Sequence, residues 1–288
     1  MTVIEWVERI AARLDAAGVA YGHGTTNAFD EAAWLVLWKL DLPLDGLDEA
    51  EQRAVSEAEG LAIDALAEQR ISTRKPAAYL TGEAWLQGVP FFVDERVIVP
   101  RSLIAEPLAD GTLDAWLSDR TQRVLDLCTG NGSLAVLAAL AWPEVTVLAT
   151  DLSAAALQVA QRNVERHGLQ PRITLAQGDG LAALHPDHGR FDLILCNPPY
   201  VNRDSMRALP PEFRAEPALA LDGGTDGMDF VRRLLAGVRA HMNDDAVLVL
   251  EIGHERGHFE AAFPDLPTIW LPTSAGDDQV LLIEAAAL

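Results

Sequence analysis

Four consecutive residues, Asn197, Pro198, Pro199 and Tyr200, have the types and spacing needed for chemistry at a nitrogen atom. They directly follow the apolar run "FDLILC", which has the character of a buried strand. Proline has no N–H to donate to a sheet ladder, so a strand that meets two prolines must end there. The carbonyl of Pro198 is thereby freed, and the side-chain carbonyl of Asn197 is a second acceptor beside it. Two fixed acceptors match the two N–H groups of a planar NH2 group, which indicates a reaction at that nitrogen.

The aromatic ring of Tyr200 has two possible roles in such a reaction. It can stack on the planar target, or it can face a sulfonium methyl group in a cation–π contact. The alternative to a catalytic quartet is a proline-terminated edge strand followed by an asparagine turn. We favour the catalytic interpretation because three other strand ends carry features of an adenosine-binding site.

A glycine-rich turn, "DLCTGNGSLA", follows an earlier strand. Its glycines and Ala135 satisfy the spacing G-x-G-x-x-A between a strand and a helix, which is typical of dinucleotide sites. Glycines let a ligand approach the backbone and leave the helix N-terminus open to it, although such turns can also be purely structural. We predict that this turn binds the cofactor through Asp126, Cys128, Thr129, Gly130, Asn131 and Gly132.

Aspartates follow the next two strands along the chain. Asp151 lies about 20 residues after the glycines, where an acid can accept hydrogen bonds from both hydroxyls of a ribose. Its alternative role is to cap the next helix, which Ser153 can also do. Asp179 can accept from an adenine amino group or merely cap a turn, and both alternatives stay open. The predicted cofactor site also includes Leu152, Gly180 and Asn197.

An alternation of strands and helices from residue 104 onward predicts the scaffold that positions these residues. The strand candidates are "RVLDLC", "VTVLATD", "RITLAQGD", "FDLILCN", "AVLVLEIG" and "QVLLIEA", and helical stretches lie between most of them. This pattern is typical of a mostly parallel α/β sheet with helices on both faces. Ligands of such sheets bind beyond the carboxyl ends of the strands, where the predicted residues lie.

The first hundred residues divide into two further parts. Residues 1–75 are predicted to form a small helical domain with helices at "TVIEWVERIAARLDAAG", "FDEAAWLVLWKL" and "DEAEQRAVSEAEGLAIDALAEQR". Thr2 and Glu5 can form a capping box on the first helix, and Gly18 suits its end. Residues 76–103 contain "EAWLQG" and "PFFVDERVIV", which predict a β-hairpin linker. Residues 104–288 then form the catalytic domain.

Charge and composition limit the partners of the protein. The chain has 22 Lys and Arg against 43 Asp and Glu, for a net charge of −21. Such a field repels nucleic acid and attracts a basic partner, or it simply keeps the protein soluble. Two cysteines imply no disulfide framework, and no segment has the pattern of a signal peptide or a membrane span. We expect a cytoplasmic protein that contacts neither DNA nor a membrane.

Several other residues have competing interpretations. Arg101 and Glu106 follow the hairpin, where they either line a substrate cleft or form an ion pair across the domain junction. "HERGH" at 254–258 matches the zinc-protease pattern H-E-x-x-H, but it directly follows a predicted strand and contains a glycine, so we predict no metal site. Cys128 and Cys196 lack a supporting histidine and are interpreted as packing residues.

Together these motifs resemble the class I S-adenosylmethionine-dependent methyltransferases, and within them the protein-glutamine N5-methyltransferases. The resemblance covers "YLTGEAWLQGVPFFVDERVIVPRS", "DLCTGNG", "NPPYV" and "EPALALDGGTDG" as well as the helical domain. It implies a Rossmann-like, seven-stranded fold, S-adenosylmethionine as cofactor with S-adenosylhomocysteine as product, and methyl transfer to a glutamine side chain. It also implies that Asn197 and the Pro198 carbonyl hold the amide.

Two subtypes of this family differ in their protein substrate. "VPRSLIAE" and "DLCTGNG" look like the subtype that methylates ribosomal protein uL3, a basic partner, whereas enzymes acting on the GGQ motif of release factors carry "PRPETE" and "DLGTGSG". Leu103 stands where the first subtype usually has proline, Leu86 stands where it has phenylalanine, and "AGDDQVLLIE" lacks its usual closing motif. The resemblance therefore implies uL3 as substrate, with release factors as the alternative.

Three functions from other classes share part of these features. A DNA adenine-N6 methyltransferase shares the cofactor loop and "NPPY" but is expected to carry a basic recognition region, which this acidic chain lacks. An NAD-dependent dehydrogenase explains the glycine turn and Asp151 but leaves "NPPY" unused. A non-enzymatic scaffold predicts a decayed cofactor loop, and the loop here is intact.

Overall fold

The computed structural model describes all 288 residues, and its amino-terminal part is a bundle of helices. The helices are α1 (Val3–Ala16), α2 (Ala28–Lys39), α3 (Leu47–Ala50) and α4 (Glu57–Thr73). Thr2 and Glu5 cap the start of α1 reciprocally, as predicted. The apolar face of α1 packs against α2 and α4 around a buried core of Val3, Val7, Ile10, Leu14, Val36 and Ile63.

The single third helix predicted over residues 48–70 is wrong, because two helices occupy this region. Ser56 begins α4 with a capping box of its own: its backbone N–H donates to Glu59 (2.8 Å), and its hydroxyl accepts from the Glu59 N–H (3.3 Å). A capping box satisfies donors that only a helix start leaves free, so "SEAE" marks a new beginning rather than a helix interior.

A hairpin follows the short helix α5 (Ala77–Thr81). Strands β1 (Glu83–Leu86) and β2 (Val89–Phe92) pair antiparallel through a turn in which Gln87 and Gly88 both have positive φ. The second strand was predicted to reach Val99 but ends at Phe92, because Asp94 accepts from the Arg96 N–H and side chain and turns the chain. Asn163, fully buried on a later helix, binds the N–H (2.7 Å) and carbonyl (3.0 Å) of Phe92.

The rest of the chain forms a seven-stranded sheet, which confirms the predicted α/β class. Its strands are β3 (Arg123–Leu127), β4 (Thr146–Asp151), β5 (Ile173–Gln177), β6 (Phe191–Cys196), β7 (Met242–Glu251), β8 (Ile269–Thr273) and β9 (Gly276–Glu284). The order is β5-β4-β3-β6-β7-β9-β8. The first five strands in this order are parallel, whereas β9 runs antiparallel to both of its neighbours, β7 and β8. The chain changes direction across the sheet between β3 and β6, which is where such folds bind ligands.

Helices cover both faces of this sheet. They are α6 (Ala105–Ala109), α7 (Ser133–Ala141), α8 (Ala154–Arg166), α11 (Asp229–Leu235) and α12 (Arg256–Ala262). Two further short helices, α9 (Arg203–Ala208) and α10 (Pro211–Arg214), follow β6 in the chain. Val124 of β3 joins a core with α6 and α7, whereas Leu125 and Leu127 join one with α11 and α12. Successive side chains of a strand point to opposite faces, so each strand contributes to both cores. None of the helices is both long and apolar enough to cross a membrane.

Two elements differ from the sequence-based expectation. The segment "IWLPT" forms edge strand β8, which we did not predict because it contains Pro272; proline is tolerated at a sheet edge. The stretch "GMDFVRRLLAGVRAHM" predicts one helix over residues 227–242, but the helix ends at Leu235, and a 3-10 turn from Val238 to His241 follows Gly237. Glycine favours a helix end at this point.

Candidate functional site

Two adjoining cavities lie at the carboxyl ends of the parallel strands. The larger has a volume of about 370 Å³ and the smaller about 150 Å³, and both are lined by Ile98, Asn197 and Ala220. Leu127 of β3 is opposite Cys196 of β6, so Asn197 follows at the point where the sheet changes direction. Gly130, Asp151 and Asn197, which were predicted from three different strand ends, therefore lie together around one cavity.

The larger cavity is bounded by the glycine turn and Asp151. Cys128 and Gly130 have positive φ, which bends the backbone along the cavity wall, and a Cβ on Gly130 would meet nothing within 4 Å. The Asp151 carboxylate accepts from the N–H groups of Gly130 (2.9 Å) and Ser153 (2.8 Å). Burial raises the pKa of Asp151 despite these bonds. Ser153 caps α8, so capping is not the role of the Asp151 side chain.

Four predicted cofactor residues, Asp126, Thr129, Asn131 and Gly132, do not line this cavity. The buried carboxylate of Asp126 accepts from the Thr129 hydroxyl (2.5 Å) and the Ala135 N–H (3.1 Å). The side-chain oxygen of Asn131 accepts from the Ser133 N–H (3.2 Å). The backbone carbonyl of Asn131 accepts from the side-chain amide of Asn163 (2.8 Å).

Gly132 packs against Ala160 so closely that a Cβ would lie 3.2 Å from the Ala160 Cβ. These four residues therefore support the turn from the side of the helices: Asp126 bonds Thr129 and α7, whereas Asn131 and Gly132 contact α8. Burial raises the pKa of Asp126 to about 7.

The far wall of the larger cavity contains Asp179, which pairs with Arg233 (2.8 Å). The Asp179 side chain makes no capping bond, so the turn-cap interpretation is wrong. Leu152 and Gly180 line the cavity as predicted. Sequence reasoning missed other lining residues, although "EPALALDGGTDG" was a signal for most of them: Pro217, Leu219, Ala220, Asp222, Gly223, Gly224, Asp229, Phe230 and Arg233.

The junction of the two cavities holds the predicted acceptor pair. Strand β6 ends at Cys196, and neither the Asn197 side chain nor the Pro198 carbonyl has a hydrogen-bond partner within the chain. Asn197 faces both cavities, whereas Pro198 lines the smaller one and Pro199 the larger one. Two fixed and unpaired acceptors therefore stand where the contents of the cavities would meet.

Tyr200 lines the smaller cavity and not the larger one. Its hydroxyl donates to Glu251 (3.0 Å), a residue that sequence reasoning missed. Burial raises the pKa of the Tyr200 phenol well above its usual range, with the Glu251 charge adding to the effect. Of the two predicted roles, this position favours stacking on a target in the smaller cavity over contact with a cation in the larger one.

Arg101 also lines the smaller cavity, but it does not pair with Glu106. Arg101 binds both carboxylate oxygens of buried Glu216 (2.6 and 2.7 Å). Burial opposes ionisation of Glu216, but the Arg101 charge and hydrogen bonds outweigh it and hold its pKa at about 2. Glu106 instead accepts from the N–H and hydroxyl of Ser274 (both 2.6 Å), away from both cavities. The predicted Arg101–Glu106 pair is therefore wrong.

The helical bundle holds the segment that closes the smaller cavity. Arg74 donates to Glu212 (3.2 Å), and Arg70 lies 3.6 Å from the same carboxylate oxygen. The His23 ring packs on Phe213 with centroids 4.2 Å apart. Because Phe213 lines the smaller cavity, that cavity is complete only when the bundle is docked.

The rejected sequence patterns have structural roles. Glu255 precedes α12 and its carboxylate accepts from Asn202 (2.6 Å) and contacts His258 (2.5 Å), while His254 lies in the preceding turn. The two histidines of "HERGH" therefore do not share a helix face. No group of three or more His, Cys, Asp or Glu side chains is arranged to hold a metal ion. Cys196 is fully buried, which raises the pKa of its thiol, whereas Cys128 lines the larger cavity.

The protein is similar in sequence to known methyltransferases. The family model described as methyltransferase small domain matches residues 111–223. The chain is 55% identical to the ribosomal protein uL3 glutamine methyltransferase of Bordetella pertussis, over 98% of this chain and 94% of that protein. It is 51% identical to the enzyme of the same name from Burkholderia pseudomallei, over 100% and 95%.

A similar solved structure is the hMettl16 catalytic domain in complex with the MAT2A 3′UTR hairpin 6. It has a TM-score of 0.53 at 13% identity and covers 79% of this chain and 81% of that one. At this identity the likeness supports the fold alone. The sequence likeness to the bacterial relatives, by contrast, extends through the helical bundle and the hairpin.

Proposed function

The chain belongs to the family of ribosomal protein uL3 glutamine methyltransferases, and from this premise we propose that it transfers a methyl group from S-adenosylmethionine to the side-chain amide nitrogen of a glutamine in uL3. The observation that carries the proposal is the unpaired acceptor couple of Asn197 and Pro198, located where the two cavities meet. One cavity suits the methyl donor and the other suits the acceptor side chain.

The lining of the larger cavity fits S-adenosylmethionine. Asp151 would accept from the ribose hydroxyls, and Gly130 leaves open space for a group close to the backbone. Leu152 and Phe230 supply apolar surface for an adenine ring, with Asp179 near its amino group. When bound, this cofactor supplies an electrophilic methyl group on a sulfonium.

Orientation is the main task of the protein in this reaction. An amide nitrogen is a poor nucleophile because its lone pair is delocalised into the carbonyl. Asn197 and the Pro198 carbonyl accept both N–H bonds of the amide and aim its nitrogen at the larger cavity. The same two acceptors stabilise the positive charge that develops on nitrogen. The methylated, protonated amide then releases its proton to water, so no dedicated base is required.

The smaller cavity suits the aliphatic part of a glutamine side chain. Its walls include Ile98, Val201, Leu209, Phe213 and Leu221. Arg101 contributes no free positive charge because Glu216 neutralises it, so the cavity favours a neutral amide over a carboxylate. The Tyr200 ring provides a flat surface for the amide plane.

Recognition of the protein substrate involves other parts of the chain. We assign residues 1–75 to recognition, 76–103 to the linker and 104–288 to catalysis, because the bundle holds the segment that closes the smaller cavity. The net charge of −21 favours a basic ribosomal protein as partner. Such a substrate implies a reaction in the cytoplasm, where bacterial ribosomes are assembled.

A transfer assay tests the proposal. The purified protein is incubated with methyl-labelled S-adenosylmethionine and ribosomal fractions, and the labelled residue is located by mass spectrometry. We expect label on one glutamine of uL3 and none with Asn197→Ala. Label on nucleic acid would contradict the proposal, and label on a release factor would correct the substrate only.

A further inference from the structure

The Tyr200 ring is held by a buried carboxylate on strand β7, that of Glu251, and the proposed methyl transfer assigns no role to this carboxylate. Glu251 is 3% exposed and is the last residue of β7. Cys196 is opposite Leu250 in the register of β6 and β7, so Glu251 lies beside the start of the catalytic quartet. It also lines the smaller cavity.

The carboxylate of Glu251 connects the quartet to the linker. Oε1 accepts from the Tyr200 hydroxyl (3.0 Å), and Oε2 accepts from the Ser102 hydroxyl (2.6 Å) and the Leu103 N–H (2.9 Å). A carboxylate that accepts three hydrogen bonds in a buried place is held in one orientation. Burial raises the pKa of Glu251, against the effect of these bonds.

The backbone of Tyr200 is fixed separately from its ring. The Val201 N–H donates to the Leu221 carbonyl (2.8 Å), and the Val201 carbonyl accepts from the Gly223 N–H (2.9 Å). A Cβ on Gly223 would lie 2.7 Å from the Tyr200 Cα, and one on Gly227 would lie 2.2 Å from its carbonyl oxygen. Gly223 and Gly227 of "LDGGTDG" thus pack closely on the backbone of Tyr200. They do not fix the hydroxyl end of its ring, which needs other contacts.

The ring itself lies against bare backbone on one side. A Cβ on Gly253 would lie 2.4 Å from Cε2 of Tyr200, so the ring packs directly on this glycine. Its hydroxyl has a single partner, Glu251. Contact with Gly253 limits the tilt of the ring, and the hydrogen bond fixes its tip.

We propose that Glu251 is a positioning residue for methyl transfer, which acts by holding the Tyr200 ring against the plane of the acceptor amide. This inference rests on the proposed function. A merely structural carboxylate would instead serve to fasten the linker to β7 through Ser102 and Leu103. The two roles differ in whether the rate depends on the Tyr200 hydroxyl.

A double-mutant cycle distinguishes these roles. We expect Tyr200→Phe and Glu251→Gln each to lower kcat about tenfold, because a small misalignment of reacting groups slows the chemical step. In Glu251→Gln the amide oxygen must face the Leu103 N–H, so the NH2 group faces Tyr200 and the bond from the Tyr200 hydroxyl to a carboxylate is lost. The double variant should therefore lose about the same factor as either single variant, because each single variant already removes that bond. The dissociation constant for S-adenosylmethionine should stay within about twofold of the wild-type value, because Tyr200 and Glu251 lie outside the larger cavity.

The chain offers a matched control in Ser274→Ala. The Ser274 hydroxyl also donates to a glutamate, Glu106 (2.6 Å), but away from both cavities and from the helical bundle. This variant should keep the wild-type kcat. If the fall in kcat of the double variant equals the product of the falls in Tyr200→Phe and Glu251→Gln, the positioning role is overturned. An unchanged kcat in Tyr200→Phe would overturn it as well.

A second pair of variants covers the case in which Glu251→Gln does not fold. Ser102→Ala removes one linker bond from the same carboxylate but leaves the Leu103 N–H on the same oxygen, so it should lower the melting temperature with little change in kcat. Tyr200→Phe should lower kcat. The reverse pattern would assign Glu251 to the linker and overturn the inference. Failure of the wild-type protein to methylate any glutamine would contradict the proposed function instead.

Discussion

The two cavities that meet at Asn197 are built in different ways. The larger one is formed by turns at consecutive strand ends, held by bonds such as Gly130 to Asp151, 21 residues apart. The smaller one depends on side chains far apart in sequence: Tyr200 and Glu251 are separated by 51 residues, Arg101 and Glu216 by 115, and Arg74 and Glu212 by 138. The larger cavity, which is the methyl-donor half of the site, is thus lined by the linker and the catalytic part of the chain. The smaller cavity, which is the acceptor half, also needs the helical bundle, because Arg74 and His23 hold the segment that closes it.

Removing the charge of Glu216 should produce the largest effect on the acceptor half. In Glu216→Gln the partly buried Arg101 loses its partner, and breaking such a pair costs about 3–5 kcal/mol of the free energy of unfolding. Urea unfolding measures this change. Glu106→Gln is the matched control and should cost under about 1 kcal/mol, because Glu106 on α6 has no charged partner and its bonds to Ser274 are open to solvent. Equal losses in the two variants would contradict the contrast between the cavities.

Removing the side-chain acceptor of Asn197 should slow the reaction strongly without weakening the binding of S-adenosylmethionine in the larger cavity. We expect Asn197→Ala to lower kcat by about 10²–10³-fold, the usual loss when one fixed polar group at a reacting centre is removed. Affinity for S-adenosylmethionine, measured by calorimetry, should change little. A variant that no longer binds the cofactor would assign Asn197 to the donor half.

Removing the carboxylate of Asp151 should have the opposite result, because it weakens cofactor binding in the larger cavity and leaves the acceptor half unchanged. Asp151→Ala should weaken S-adenosylmethionine binding by roughly 10–100-fold, because hydrogen bonds to a charged group contribute about 1.5–3 kcal/mol. At saturating cofactor, kcat should approach the wild-type value. A large loss of kcat that persists at saturation would show that the two halves are not separable.

Asp126 should give the donor half a dependence of stability on pH. Its pKa is raised to about 7 in the folded chain, so between the unfolded value and pH 7 the unfolded state releases a proton that the folded state keeps. The free energy of unfolding should therefore fall by about 1–2 kcal/mol as pH rises from 5.5 to 7. Asp126→Asn should remove this fall in urea titrations, and an unchanged slope would contradict the assignment.

Raising the salt concentration should weaken the binding of the protein substrate and not the binding of the cofactor. If the acidic surface attracts a basic substrate, raising the salt concentration should increase KM for uL3 several-fold through screening. The dissociation constant of S-adenosylmethionine should stay nearly constant in the same buffers. A KM that does not change with salt would count against electrostatic attraction of the substrate.

The same contrast explains how much the sequence could predict. Asn197, Gly130 and Asp151 follow strands that the sequence reveals, and parallel strands bring their ends to one edge, so local patterns located them. Glu216 and Glu212 have no such local pattern, because their roles depend on arginines from distant elements. Glu251 stood at a predicted strand end and could have been found by the rule that located Asp151.

Errors at the level of elements have equally specific causes. The start of α4 was missed because "SEAE" lies within a long run of residues that favour helices, and only the bonds between Ser56 and Glu59 reveal the new beginning. Strand β8 was missed because Pro272 argues against a strand except at an edge. Which strand lies at the edge is a property of the sheet, not of the segment.

The buried Asn163 limits how this protein can be recombined with its relatives. Its side chain bonds both backbone groups of Phe92 in the hairpin and the carbonyl of Asn131 in the glycine turn. A chimera that takes its hairpin from one parent and α8 from another keeps these bonds only if both parents present the same backbone to this amide. A crossover before the hairpin keeps the Asn163 bonds within one parent, but it separates Arg70 and Arg74 from Glu212, so both parents must also share this set of charges.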